Sequence, residues 1–154
     1  MPAIRSNPTP DQPLVIGWSE LIDLPDWGIV GLRAKIDTGA RSTALHVDGM
    51  TPLGRNRVSF RVPVRKRPSD RIIAEVVRRS RVRSSNGHFS QRLFVRTHLR
   101  LGNRCRAVEL NLVDRSGMLF PMLVGRTALA GWYLVDPGHR RLVSKKAKPR
   151  PTSS

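Results

Sequence analysis

Apolar and polar residues alternate with a period of two along most of the chain. Val58, Phe60, Val62 and Val64 alternate with Ser59, Arg61 and Pro63. Leu93, Val95, Thr97, Leu99 and Leu101 alternate with Phe94, Arg96, His98 and Arg100, and Val108, Leu110 and Leu112 with Glu109, Asn111 and Val113. A period of two turns every second side chain to one surface, so each of these segments predicts a half-buried strand. Residues 14–18, 28–37, 72–82 and 132–136 are predicted as further strands, separated by turn signals at Pro25-Asp26, Ser85-Asn86-Gly87, Leu101-Gly102-Asn103 and Asp136-Pro137-Gly138. A helical pattern is confined to 126–131, after Val124-Gly125. Many short strands with one late helix predict an all-β domain, closed or sandwiched, and no internal repeat is visible.

The 154 residues fit one domain, and 39% apolar residues suffice for one core. Residues 1–13 hold four prolines and no apolar period, which predicts a disordered arm. The β domain is expected over 14–138. Residues 139–154 carry Arg140, Arg141, Lys145, Lys146, Lys148 and Arg150 without an acid and read as a basic disordered tail. The formal net charge is +17, and most of it belongs to the body. Residues 55–83 are dense in arginine, with 65–70 (RKRPSD) expected as an exposed loop. Such a surface attracts polyanions, RNA and ribosomes among them, or serves solubility alone. Neither zinc-finger spacing nor an RNP-type aromatic run supports base readout. No run of about 18 apolar residues predicts a membrane helix, and no secretory signal is visible, so the expectation is a cytoplasmic protein. The lone Cys105 excludes an intramolecular disulfide framework. Its neighbours Arg104 and Arg106 could lower its pKa, but it reads as a strand residue.

The candidate chemistry sits at residues 34–40, Ala-Lys-Ile-Asp-Thr-Gly-Ala. An apolar strand delivers Asp37 into a tight turn. Thr38 can brace that turn through its hydroxyl, and Gly39 permits close backbone approach. Ordinary turns also contain this triplet. A second segment, Met122-Leu-Val-Gly-Arg-Thr-Ala-Leu129, pairs an apolar strand with Gly125-Arg126 and the short helix. Neither a Gly-rich phosphate loop with Lys and Ser or Thr nor a His-Glu-x-x-His pattern is present, so no cofactor or metal is expected. The four histidines, His46, His88, His98 and His139, lie apart in sequence. His46 is the best candidate ligand or proton carrier, or else packs beside the turn. Lys35 lies two positions before Asp37 on the strand and so shares its face. With Arg41 and Arg126 it either favours an ionised Asp37 and an acidic ligand, or reaches into solvent while Arg126 buttresses the turn.

The segments IGWSE (16–20) with Leu24-Pro25, AKIDTGARSTALHV (34–47), Gln91-Arg92, LVDRSGMLFPMLVGRTAL (112–129) and Leu134-Val-Asp-Pro137 together resemble the bacterial retropepsin-like proteins named ATP-dependent zinc proteases. That resemblance implies a closed acid-protease β-barrel with one short C-terminal helix. It implies an aspartic peptidase whose Asp37 activates water within the Asp37-Thr38-Gly39 turn, supported by Ala40, His46 and Gly125. One lobe supplies one such turn, so the second carboxylate comes from a partner copy in a homodimer, or from Asp114 within the chain. The family's link to ATP-grasp ligases that add glutamates to a protein tail implies a glutamate-rich substrate, bound by Lys35, Arg41, Arg92 and Arg126. Residues 84–92 would form a mobile hairpin over the cleft, or a plain turn. Two alternatives stay open: a non-enzymatic basic module binding RNA or the ribosome, and a zinc-dependent peptidase with ligands from distant strands.

Overall fold

A computed structural model describes residues 4–64, 68–83, 87–114 and 119–144. Its strands are β1 (Leu14–Gly17), β2 (Ser19–Leu24), β3 (Ile29–Ile36), β4 (Thr43–His46), β5 (Asp48–Leu53), β6 (Arg57–Arg61), β7 (Ile72–Arg83), β8 (Phe89–Leu101), β9 (Arg104–Val113), β10 (Met122–Val124) and β11 (Tyr133–Asp136). The helix α1 spans Arg126–Leu129, and a 3-10 turn spans Pro25–Trp27. Strands β2, β3, β10, β4, β9 and β8 neighbour one another in that order, and β2 meets β8 again, so six strands close into a barrel. Beyond β8 the order continues through β7 and β6 to β5, while β1 and β11 form a separate parallel pair. The expected all-β barrel with one short late helix is the fold of this protein. The expected mobile tip at 84–92 falls partly on 84–86, and the expected loop at 65–70 partly on 65–67, outside the described residues.

Alternation explains most of these strands. In β8, Leu93, Val95, Thr97, Leu99 and Leu101 are buried while Arg96 and Arg100 are exposed. Phe94 is buried on the outer face because the Arg78 guanidinium lies 3.7 Å from its ring centroid. Three strands lack the alternating signature. In β2, Ser19, Glu20, Ile22 and Leu24 are all buried, so no polar face marks it. β4 has four residues, and β5 contains Gly49 and Pro52 on an exposed edge.

The ends are tied down further than the prolines and basic residues suggested. Only residues 110–113 of β9 pair with β4, which leaves the backbone at 104–107 without a strand on that side. The arm fills the gap. Asn7 donates its N–H to the Cys105 carbonyl at 2.7 Å, its Oδ1 accepts from Cys105 N at 2.5 Å, and Ser6 Oγ accepts from Ala107 N at 3.0 Å. At the other end, Trp18 N donates to His139 O and Arg141 N to Ser19 O. The fully buried Glu20 carboxylate accepts from the backbone N–H groups of Gly17, Leu142, Val143 and Ser144, and from Ser144 Oγ at 2.6 Å. A buried charge is tolerated only when its lone pairs are satisfied in this way. These contacts join residues 139–144 to the start of the β domain.

The barrel closes through the single β2–β8 pair Asp23↔Arg100. Asp26 clasps the same strand: its Oδ2 accepts from Thr97 Oγ1, His98 N and His98 Nδ1 at 3.2, 3.0 and 2.9 Å. Burial pushes the Asp26 carboxyl up, but the hydrogen bonds from His98 and Thr97 outweigh it, and its pKa lies below the ordinary 3.8.

Two outcomes are expected. Glu20→Ala leaves several buried N–H groups unsatisfied and costs about 3 kcal/mol in urea unfolding, with residues 139–144 becoming open to limited proteolysis. Continued protection of 139–144 would show that something else holds the tail. A carboxyl with a depressed folded pKa contributes stability above its unfolded pKa and loses it as pH falls through the folded value. Stability therefore declines on acidification below about pH 4, and Asp26→Asn shrinks that decline. An unaltered acid limb in urea titrations of the variant would remove Asp26 from it.

Candidate active site

The Asp37 turn is built by an insertion. β10 lies between β3 and β4, parallel to the first through Leu123↔Lys35 and Val124↔Ile36, antiparallel to the second through Leu123↔Ala44. The chain between β3 and β4 must bend around the end of β10, and Asp37 stands at the start of that bend. Its N–H donates to Val124 O at 2.9 Å, and its carbonyl accepts from Ala40 N at 3.2 Å. Its Oδ1 accepts from Gly39 N at 3.0 Å, while among the described residues Oδ2 has no protein partner. Asp37 is half-buried; Thr38 and Gly39 are exposed.

The later segment fastens the bend from behind. Arg126 N donates to Ala40 O at 2.8 Å and Thr127 N to Arg41 O at 3.1 Å. The Arg126 guanidinium donates to Thr38 O at 3.1 Å. Bracing thus comes through the Thr38 carbonyl, where the hydroxyl was expected. Gly125 N donates to the fully buried Thr43 Oγ1 at 3.1 Å, and a Cβ on Gly125 would lie 2.4 Å from Ser42 O. Only glycine permits that approach. Thr43 is a site residue the sequence did not single out, because nothing in a Ser-Thr pair signals a buried acceptor.

A cleft of about 990 Å³ begins at Arg41 and Ser42, just past this turn, and residues 37–40 are not among those lining it. Arg41, Ser42, Thr127 and Ala128 form its near end, and β4, β9, β8 and β7 continue it through Asn111, Phe94, Arg92 and Ser80. Five arginines line it: Arg41, Arg78, Arg92, Arg96 and Arg106. Its acid is Glu109, which meets Arg78 Nε at 3.3 Å and Arg96 at 3.7 Å. Arg106 also donates to Ala128 O and lies over Trp132. Arg41 and Arg92 therefore share the cleft, while Arg126 points its guanidinium at the turn. Lys35 is exposed, and among the described residues no ion pair joins it to Asp37.

Two candidates stand elsewhere. His46 is at the far end of β4 from Thr43; its Nδ1 meets Val113 O at 3.2 Å and its Nε2 meets Asp48 at 3.8 Å. Asp114 follows Val113, the partner of His46, and so lies past that same far end. It is in no position to supply a second carboxylate beside Asp37. Burial, against the opposing pull of Arg100, raises the Cys105 thiol pKa, so the flanking arginines do not activate it. The donor set does not fit zinc either. His98 is held by Asp26 and His139 by Asp136, and among the described residues no three His, Cys, Asp or Glu groups gather to hold a metal.

The description of RimB-like proteins, retropepsin-like aspartic endopeptidases, matches residues 15–146. The chain belongs to this family. A probable alpha-L-glutamate ligase of Shewanella pealeana is 33% identical over 144 residues, 88% of this chain and 31% of that protein. A second, from Parasynechococcus marenigrum, is 34% identical over 130 residues, 80% of this chain and 28% of that protein. The family member thus spans about a third of the length of these relatives. A Legionella pneumophila protein of unknown function has a crystal structure that superposes with a TM-score of 0.72 at 28% identity, covering 84% of this chain and 98% of that one. Among the described residues no helix is long and apolar enough to cross a membrane.

The contact between Gly125 and Ser42 makes a direct forecast. Gly125→Ala forces a methyl into a peptide carbonyl and lowers stability by about 3 kcal/mol, read as a drop in Tm. A Tm within a degree or two of the parent would show that the bend does not need the close approach.

Proposed function

We propose that this chain is an aspartic peptidase that cleaves acidic, glutamate-rich polypeptide, acting in the cytoplasm as a homodimer. The observation that carries the reading is the half-buried Asp37 carboxylate, fixed by its backbone on both sides in a bend that leads directly into Arg41 and Ser42, where an arginine-lined cleft begins. In this reading the Asp37 groups of two copies meet and share one proton, because two carboxylates so close do not both ionise. The ionised member takes a proton from water while the protonated member hydrogen-bonds the peptide carbonyl. Water oxygen then bonds the carbonyl carbon, the C–N bond breaks, and the amine leaves with a proton. Oδ1 stays on Gly39 N, which leaves Oδ2 for water or the second aspartate.

The arginines favour an acidic chain over an apolar one, since guanidinium groups pair with carboxylates in two-point contacts. Relatives named as glutamate ligases, which carry a matching segment within a longer chain, support a partnership with the enzyme that makes glutamate chains. The excess positive charge favours a second reading, a basic module that binds RNA or the ribosome on a protease scaffold.

Asp37→Asn separates the two. It is expected to keep the fold by circular dichroism and to lower cleavage of a glutamate-rich peptide by about 100-fold or more, read by mass spectrometry. Undiminished cleavage would take Asp37 out of the mechanism. Salt-steep RNA binding that survives the substitution, without peptide cleavage by the parent, would favour the second reading.

A further inference from the structure

The cleft already contains a carboxylate. Glu109 faces Arg96 directly across the β9–β8 ladder, and its two oxygens meet Arg78 Nε at 3.3 Å and Arg96 at 3.7 Å. Its side chain is 38% exposed, so the contacts are neither sealed nor out of reach of an entering group. Arg78 is held a second way, over the Phe94 ring, and keeps its place without Glu109. Arg41 and Arg92 line the same cleft with no acidic partner among the described residues.

We infer that Glu109 occupies the position of a substrate carboxylate, and that a glutamate side chain of the bound polypeptide displaces it from Arg78 and Arg96. The inference rests on the acidic-substrate reading above and adds a specificity-determining residue to it. A single carboxylate gains little, because it only replaces one that is already there. A run of glutamates gains more, since further carboxylates reach Arg41 and Arg92 at the same time. Glu109 thus makes the cleft selective for runs of acid over isolated acidic residues, by competition.

Asp37 is bonded to the end of β10, Gly125 presses on Ser42 of the strand approach to β4, and Ser42 and Glu109 each precede the Thr43↔Leu110 pair, so Glu109 stands level with the Asp37 bend, on the third strand from it around the barrel. The Phe94 ring is covered by Arg78, so the site offers carboxylate partners and no free ring for a base to stack on.

The test measures binding of fluorescent hexaglutamate and hexaglutamine peptides to full-length protein carrying Asp37→Asn, which prevents turnover. Adding Glu109→Gln is expected to tighten hexaglutamate about fivefold and leave hexaglutamine unchanged. Glu75→Gln, which removes an exposed acid outside the cleft, controls for net charge and should stay within about twofold. Equal or weaker hexaglutamate binding by Glu109→Gln, or the same gain from Glu75→Gln, overturns the inference while the acidic-substrate reading stands. If the Asp37→Asn parent does not prefer hexaglutamate to hexaglutamine, that reading falls and the inference with it. A Tm for Glu109→Gln close to that of the parent confirms that the comparison is between folded proteins.

Discussion

Strand β10 is three residues long, and the Asp37 bend exists because it is lodged between two strands that run in opposite senses to each other. A strand so short has little pairing energy of its own. It is held because Met122 and Val124 point into the barrel and are almost fully buried. Once it is seated, its exit fixes everything beside it. The Val124 carbonyl takes the Asp37 N–H, Gly125 presses on Ser42, and Arg126 holds both Ala40 and Thr38. The geometry of the Asp37 bend is therefore a long-range product of the closed barrel. The residues around Asp37 could form a turn alone, but without the later third of the chain that turn would be one of many.

That dependence decides what could be read from the sequence. The long strands were legible because their two faces see different surroundings, core on one side and solvent on the other. β2 was hidden because its polar residues Ser19 and Glu20 are buried, with the Glu20 carboxylate satisfied by residues 142–144 from far along the chain. The Asp-Thr-Gly bend and the Gly125 buttress were legible as local motifs with a known chemistry. The cleft was not. Arg41, Arg78, Arg92, Arg96 and Arg106 come from four separate stretches of chain, and nothing in an arginine's immediate neighbours says which face of a barrel it shares. In the same way, the arm looked loose because proline suppresses local structure, yet an open stretch of β9 backbone gives it hydrogen bonds that no local signal announces.

The basic balance of the chain gives its few acids unusual weight. Glu20 ties the C-terminal segment to β2, and Asp26 clasps the 3-10 turn to β8 at the barrel's closure. Glu109 holds two arginines together. Each satisfies its charge with donors from another element; Glu20 and Asp26 are structural joints for that reason, while the Glu109 contacts stay open to solvent. In a body with so few acids, a carboxylate not used in this way stands out.

Asp37 is not used in this way. Among the described residues its carboxylate accepts only from Gly39 N, within its own bend, and the elements around it are joined through its backbone. The fold holds the residue rigidly while leaving one carboxylate oxygen uncommitted, which is what a group needs if it is to bind water or a second carboxyl. Rigid placement costs such a group little, because the peptide hydrogen bonds that fix it belong to the sheet. The same sheet carries the cleft arginines on β7, β8 and β9, so the bend seated by one short strand and the basic cleft are parts of one scaffold.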